Sequence, residues 1–474
     1  MENLEKPNII FLLVDSFRSD KCFGNKKTSI TPNLDSLVNK GTIFPQTICS
    51  APVTIPSVSC IFTGQHPFNA IIRGGNRAKL NPDIYNFISN LKSSGYSTTA
   101  IVSKLLKLSG LTDDFDQVIE TPGHDGLYDG VGEKILSTFE EKKLGIPWFF
   151  YIHLLDVHGT ARGFPEKFND KKYGMNQYER MVSAMDVWLG KIFEKINFDN
   201  TLVILTADHS SDVGIYTPDM EFNKNNVSNG DRKNTSLKLG EKISSKLPIS
   251  FKSKMKKIYA EKKGQIEIKK KNEILDQINQ KNISIYKKRI LEHSIRPGYD
   301  VFDDRFVVPL IFAGYGITTP SIINQQVRSI DIFPTIFELI QIQNNAKIHG
   351  KSLLPLIKGL PMDESPAYME SIANWNEAKK ATILDVVGLR YKNFKYFRSR
   401  NNSNENVGLY DLNVDPHEEH NIAKENPEKI IEMDKILSNI RERHHEELKE
   451  QPEELRDYEE EKMVEAELKK LGYI

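Results

Sequence analysis

The stretch NIIFLLVDS, Asn8–Ser16, decides how the rest of the chain is read. It is apolar without alternation, too short to cross a bilayer, and closed by a carboxylate at Asp15. Such a run reads as a strand buried on both faces, the kind found inside a sheet covered by helices on each side. The same signature recurs at Thr99–Val102, Trp148–Leu155, Thr201–Thr206 and Val307–Phe312, with helical patterns at Asp83–Leu91 and Tyr178–Ile196 between. This alternation predicts an α/β fold, a large mostly parallel or mixed sheet sandwiched by helices. In such sheets ligands gather beyond the carboxyl ends of the strands. Those ends carry Asp15, then Asp156 with His158, then Asp208-His209.

Length and composition set the outer bounds. The chain has 474 residues, 39% of them hydrophobic, so two domains are expected. Lys+Arg 64 balance Asp+Glu 64, which gives no whole-molecule steering toward nucleic acid or membrane. The three cysteines, Cys22, Cys49 and Cys60, fit neither a disulfide framework nor metal-ligand spacing. With no secretory h-region and no transmembrane segment read from the sequence, a cytoplasmic location is expected. The expected domains are 1–360 and a smaller α+β subdomain, 361–474, with strands at Ala381–Leu389 and Phe394–Arg398 and charged helical sequence from Pro427 onward. Residues 222–291 interrupt the first domain with 17 Lys and 2 Arg against 6 acidic residues, and read as a solvated insertion. Little aromatic interleaving argues against a specific nucleic-acid partner there. Oligomeric state is not legible.

Three groups carry chemistry. Asp15 is either a metal ligand or a strand-end cap. Asp208-His209 pairs hard oxygen with imidazole at one sheet rim, a set suited to Ca, Mg, Mn or Zn. Thr54, in APVTIPSVSCIFTG (Ala51–Gly64), stands two residues before a proline that suits the first turn of a helix. It is either an N-cap or a nucleophile at a helix N-terminus aimed at an anion. Thr-Gly closes that helix.

In one order along the chain, these segments resemble the sulfatase family of the alkaline-phosphatase-like superfamily. PNIIFLLVDSFRSD is similar to the opening strand, and TPNLDSLVNKGTIFPQ to the helix after it. APVTIPSVSCIFTG falls at the nucleophile segment, FFYIHLLDVHG at the Asp-Pro-His segment and TLVILTADHS at the Asp-His metal segment. RFVVPLIFAG, SIDIFPTIFELI, HGKSLLPLIKG, LYDLNVDPHEEHNIA and LKKLGYI follow. The resemblance implies a divalent cation held by Asp15, Thr54, Asp208 and His209, with Thr54 also the nucleophile. It implies His158 near the leaving group, and His293 and Lys104 as contacts to the bound anion. The implied partner is a small-molecule or polymer-linked anionic ester.

The departures are specific. Formylglycine sulfatases need Cys or Ser at the nucleophile and usually Arg two residues beyond the proline; here they are Thr54 and Val58. Cys60 does not restore the motif, because Phe62 stands where its proline would be. Ser16 occupies the second position of the family's Asp-Asp pair, and the Lys-Trp-His segment is broken around Lys104–Lys107. These changes favour phosphodiester, phosphonate or phosphotransfer chemistry. Arylsulfatase-like hydrolysis of a sulfuric ester is the alternative, and a catalytically silent metal-binding protein the second.

Overall fold

The computed structural model describes residues 6–24, 27–74, 77–123, 125–140, 144–158, 165–211, 272–295, 300–344, 346–372, 385–442 and 463. Its contacts define one compact unit from Met1–Gly214 with Tyr299–Ile474, and a second from Ile215–Gly298.

The first unit is built on strands β1 (Asn8–Val14), β2 (Thr42–Ile48), β3 (Ile71–Gly74), β4 (Arg77–Leu80), β5 (Ser97–Ser103), β6 (Gln117–Thr121), β7 (Trp148–Leu154), β8 (Thr201–Thr206), β9 (Val307–Gly314), β10 (Ser321–Ile322) and β11 (Val327–Arg328). The large sheet runs β10-β2-β9-β8-β1-β7-β5-β6, with β11 also on β2, and β3-β4 form a separate hairpin. β1 lies parallel to both β7 and β8, in the interior that its sequence predicted. The expected strand at Val307–Phe312 is present but antiparallel to both neighbours, β8 and β2, which makes the sheet mixed.

The unbroken apolarity of β1 now has a cause. Ile10, Leu12 and Val14 face one core, which they share with Tyr178, Val182, Met185, Leu189 and Ile192 of the helix Gln177–Phe193. Ile9, Phe11 and Leu13 face a second core with Val58, Ile61 and Phe62 of the helix Thr54–Thr63. Each of these side chains, fully buried, contributes about 1.5–3 kcal/mol. The two helices that bear on the site are therefore fixed on opposite faces of one strand.

Helix limits differ from the sequence pattern where caps intervene. Asn86 Oδ1 accepts the N–H groups of Ile88 and Ser89, so the helix expected at Asp83–Leu91 begins at Phe87 and ends at Ser93. Asn176 caps the Gln177–Phe193 helix through the Glu179 N–H in the same manner.

Beyond Leu360 a four-stranded antiparallel sheet forms from β12 (Ala367–Ser371), β13 (Val386–Tyr391), β14 (Phe394–Ser399) and β15 (Gly408–Asp411), packed on the helix Pro427–Glu442. The expected strand at 381–389 starts at Val386, and residues 381–384 lie outside the described residues. Fully buried Lys395 ties this sheet to the chain entering β9: its Nζ donates to Val301 O (2.7 Å) and Asp303 Oδ1 (2.5 Å) and ion-pairs with Glu418 Oε1 (3.1 Å).

In the second unit, residues 222–271 of the Lys-rich stretch lie outside the described residues. The remainder departs from a solvated loop. Residues 272–280 are helical, a helix spans Ile285–Ile295, and Ile274, Ile278, Ile290 and Leu291 pack together between them. No helix among the described residues is long and apolar enough to cross a membrane.

Candidate active site and metal centre

β1 carries its ladder one residue past its end: the Asp15 N–H donates to Leu154 O at 2.8 Å, which sets the carboxylate at the sheet rim. Ser16 then turns with φ +62°, a left-handed conformation that costs a non-glycine residue about 1–2 kcal/mol. Tyr178 holds the turn from the flanking helix; its hydroxyl donates to Ser16 O (2.9 Å) and accepts the Arg18 N–H (3.0 Å).

On the neighbouring strand, β8 ends at Thr206 and delivers Asp208 and His209 to the same rim. Asp208 Oδ1 accepts two backbone N–H groups, from His209 (2.8 Å) and Ser16 (3.1 Å). Its Oδ2 is buried without a hydrogen-bond partner. The His209 Nδ1–H donates to Ser210 O at 2.9 Å, which turns Nε2 toward the carboxylates, 3.4 Å from Asp208 Oδ2. Outer contacts of this kind fix the tautomer of a metal-binding imidazole.

Thr54 comes from the other face of the sheet. It is the first residue of its helix, after Val53 at the N-cap, and no side chain caps this end. The N-cap alternative for Thr54 is thereby corrected, because its hydroxyl is turned elsewhere: Oγ1 donates to Asp15 Oδ2 at 3.1 Å and lies 3.5 Å from His209 Nε2. Ser57 Oγ donates to Asp208 O at 2.5 Å and pins the helix start to the metal rim. At the other end Gly64 takes φ +64° and its N–H closes onto Cys60 O, the stop that the sequence predicted.

Ligand atoms of Asp15, Asp208 and His209 all lie within 4.8 Å of one another. Two buried carboxylates, an inward imidazole nitrogen, an orphaned carboxylate oxygen and a hydroxyl together fit a divalent cation. Electrostatics point the same way. Burial works to raise the Asp15 carboxyl, but the hydrogen bond from His153 and the charges of His158, His209 and His153 hold it well below the usual carboxylate range. Burial, then the charge of Asp15, pushes Asp208 up. Without a cation the pair therefore holds its negative charge unevenly.

His158 Nε2 is 3.9 Å from Asp15 Oδ1, so it belongs to the cluster. Lys104 opens the short helix after β5 and is half-buried at the carboxyl rim of the same sheet. His293 lies on the helix Ile285–Ile295, in the second unit.

Two neighbours escaped the sequence reading. His153, buried in β7, places Nε2 3.3 Å from Asp15 Oδ2 and Nδ1 2.8 Å from the Tyr151 hydroxyl. An imidazole inside the apolar run FFYIHLL, paired in register with Leu13, was the available signal. Arg18, also buried, donates from Nη1 to Ser211 O (2.9 Å) and Asp304 O (3.2 Å) and straps the rim after His209 to the chain entering β9.

Asp156, near His158 in sequence, has a structural part instead. Its Oδ1 accepts the Leu127 N–H at 3.0 Å and its Oδ2 is buried without a hydrogen-bond partner. Burial pushes its carboxyl up to about 7; the Leu127 N–H opposes this and the charge of Asp129 adds to it. The unfolded chain releases the proton near 3.8, so the folded protein binds it more tightly, and stability falls as pH rises from about 4 through about 7. Asp156→Asn should flatten that limb. At pH 8 it should exceed the wild type by about 1–3 kcal/mol, allowing for the residue's partial exposure. Urea unfolding at pH 5 and pH 8 checks this, and parallel curves for the two proteins would refute it.

The family model for sulfatases matches residues 7–342, and that for the C-terminal part of N-sulphoglucosamine sulphohydrolase matches 292–451. Arylsulfatase K of Danio rerio is 22% identical over 92% of this chain and 84% of its own length. An ulvan-active sulfatase of Formosa agariphila is 23% identical over 92% of this chain and 79% of its own. Among solved structures, the phosphonate monoester hydrolase of Agrobacterium radiobacter superposes with a TM-score of 0.65 at 16% identity, covering 93% of this chain and 96% of that one. That likeness shows the fold, an alkaline-phosphatase-like mixed sheet with a smaller C-terminal sheet. With the family model spanning most of its length, the chain belongs to the sulfatase family and is a sulfatase-like ester hydrolase.

Proposed function

We propose that the chain cleaves phosphoric or phosphonic esters with Thr54 as nucleophile and a divalent cation held by Asp15, Thr54, Asp208 and His209. The observation that carries this reading is the Thr54 hydroxyl lying inside the acidic cluster, 3.1 Å from Asp15 Oδ2 and 3.5 Å from His209 Nε2, at the head of a ten-residue helix. A bound cation supplies positive charge that favours the ionised hydroxyl and neutralises ester oxygens.

The chain's own groups do the rest. Asp15 Oδ2 orients the Thr54 oxygen for in-line attack on phosphorus. The first N–H groups of the Thr54 helix lie where negative oxygens gather. Lys104 is assigned to those same oxygens. The Thr54 hydroxyl gives its proton to solvent as its oxygen bonds to phosphorus and the ester P–O bond breaks. His158 protonates the departing alkoxide, then takes a proton from the water that cleaves the phosphothreonine ester, and the released Thr54 oxygen regains its proton from solvent. A threonine ester must be released by such an attack, which is why phosphorus is preferred to sulfur as the centre.

Hydrolysis of a sulfuric ester is the second reading, favoured by the arylsulfatase relatives. A panel of a phosphodiester, a phosphonate monoester and a sulfate monoester, each assayed with Mn²⁺ and with chelator, separates the two. The expected result is phosphorus-ester turnover at least 10-fold above sulfate-ester turnover (one order being about 1.4 kcal/mol of transition-state preference) and its loss on chelation. Dominant sulfate-ester turnover would overturn the preference. A protein that takes up no cation and turns over none of the three would instead be the silent relative.

A further inference from the structure

We infer that Ser16 is a positioning residue that ties up one oxygen of each carboxylate of the cluster, and thereby selects a small transition-metal cation over Ca²⁺. The inference rests on the reading above, that Asp15, Asp208, His209 and Thr54 hold a divalent ion.

Ser16 touches both carboxylates, by different means. Its hydroxyl donates to Asp15 Oδ1 at 2.7 Å, and its backbone N–H donates to Asp208 Oδ1 at 3.1 Å. Each acid therefore has one oxygen tied down by the same residue. The other two are Asp15 Oδ2, which accepts from Thr54 Oγ1 and lies 3.3 Å from His153 Nε2 but faces the cluster, and Asp208 Oδ2, which is buried without a hydrogen-bond partner. The left-handed backbone at Ser16 makes this double contact possible, and the Tyr178 hydroxyl bound to Ser16 O keeps it in place. A serine at this position of the Asp15-Ser16 pair contributes no charge of its own; it rations the oxygens of its neighbours.

The donor set that remains is two single carboxylate oxygens, His209 Nε2 and Thr54 Oγ1. Ca²⁺ takes six to eight oxygen ligands and gains from carboxylates that bind through both oxygens. Zn²⁺ accepts imidazole readily and is satisfied by four donors. Mn²⁺, though it also favours oxygen, belongs to the same transition series in which nitrogen donors strengthen binding, as they do not for Ca²⁺. Freeing Asp15 Oδ1 would widen the grip and shift the balance toward the larger ion.

Calorimetric titration of the metal-stripped full-length chain with Mn²⁺ and, separately, Ca²⁺ tests this on the wild type, Ser16→Gly and Ser16→Ala. Glycine keeps the left-handed backbone and the N–H to Asp208 and removes the side chain that carries the hydroxyl. In the wild type Mn²⁺ should bind at least 100-fold more tightly than Ca²⁺. In Ser16→Gly the Mn²⁺ affinity should fall by about 10-fold, the scale of lost outer contacts at metal sites, while that for Ca²⁺ holds or rises. Ser16→Ala should show the same drop in the ratio. Because the ratio is read within one preparation, partial misfolding, which lowers both affinities, leaves it unmoved. A Ser16→Gly ratio within twofold of the wild type, or a wild type that favours Ca²⁺, would overturn the role given to Ser16 and leave the metal site standing. A wild type that binds neither ion would overturn the metal reading and this inference with it.

Discussion

Thr54→Ala is expected to lower kcat/KM for the preferred ester by about 10³- to 10⁶-fold, the range seen when a covalent nucleophile is removed. Thr54→Ser should stay within about 10-fold of the wild type, because it retains the attacking oxygen. The structure makes this a clean experiment. Thr54 is not a cap, since the helix starts after Val53 and the hydroxyl faces Asp15 and His209. Losing the side chain should therefore cost no more than about 1 kcal/mol of stability, less than the loss of a genuine N-cap can cost. A chemical-denaturation curve alongside the rates separates the two effects. Turnover that survives Thr54→Ala within tenfold would leave the site without its proposed nucleophile.

Asp208→Asn should give a protein that is more stable without metal and indifferent to it. Asp208 is fully buried, lies beside another carboxylate and presents an oxygen with no hydrogen-bond partner. Its folded-state proton affinity is raised by burial and then by Asp15, so the ionised form opposes folding as pH rises above the usual aspartate range. Asparagine keeps the oxygen that accepts from Ser16 and His209 and removes the charge. Apo stability at pH 7.5 should rise by about 1–3 kcal/mol, the scale of one unsatisfied buried polar group. The wild type should gain about 2.7 kcal/mol from a cation at a hundred times its Kd, and the variant almost none. Thermal melts with and without Mn²⁺ read both terms. An Asp208→Asn protein less stable than the wild type in chelator would mean that the carboxylate is compensated within the fold itself.

The parts of this arrangement that could be read from sequence share a physical cause. β1, β5, β7 and β8 are covered on both faces, and that leaves an uninterrupted apolar signal whatever their neighbours are. β2 carried no such signal. TIFPQTI holds a proline and a glutamine, and its ladder with β9 shifts between Phe44 and Thr47. The direction of β9 was equally hidden, because side-chain pattern does not encode which way a strand runs. Of the site, Asp15 and the Asp208-His209 pair stood out as ionisable groups where buried runs stop. Ser16 stood out only as a missing second acid; its left-handed backbone and its two hydrogen bonds to the carboxylates leave no mark in the sequence. His153 was masked by the strand around it. His293 depended on order along the chain alone, and it resides in the second unit.

The pairing of β8 with β9 has one more implication. Thr206 stands opposite Leu310 in the ladder, although β8 ends at Thr206 and β9 starts at Val307, with the second unit threaded between them. In a tight hairpin the turn would dictate alignment. Here alignment is kept by the ladder, by the Ser210 N–H on Arg305 O and by the Arg18 strap. Entropy of closure grows so slowly with length that doubling the excursion costs only about 0.6 kcal/mol. The register of β8 against β9 is therefore expected to be insensitive to the length of the connection that the second unit supplies.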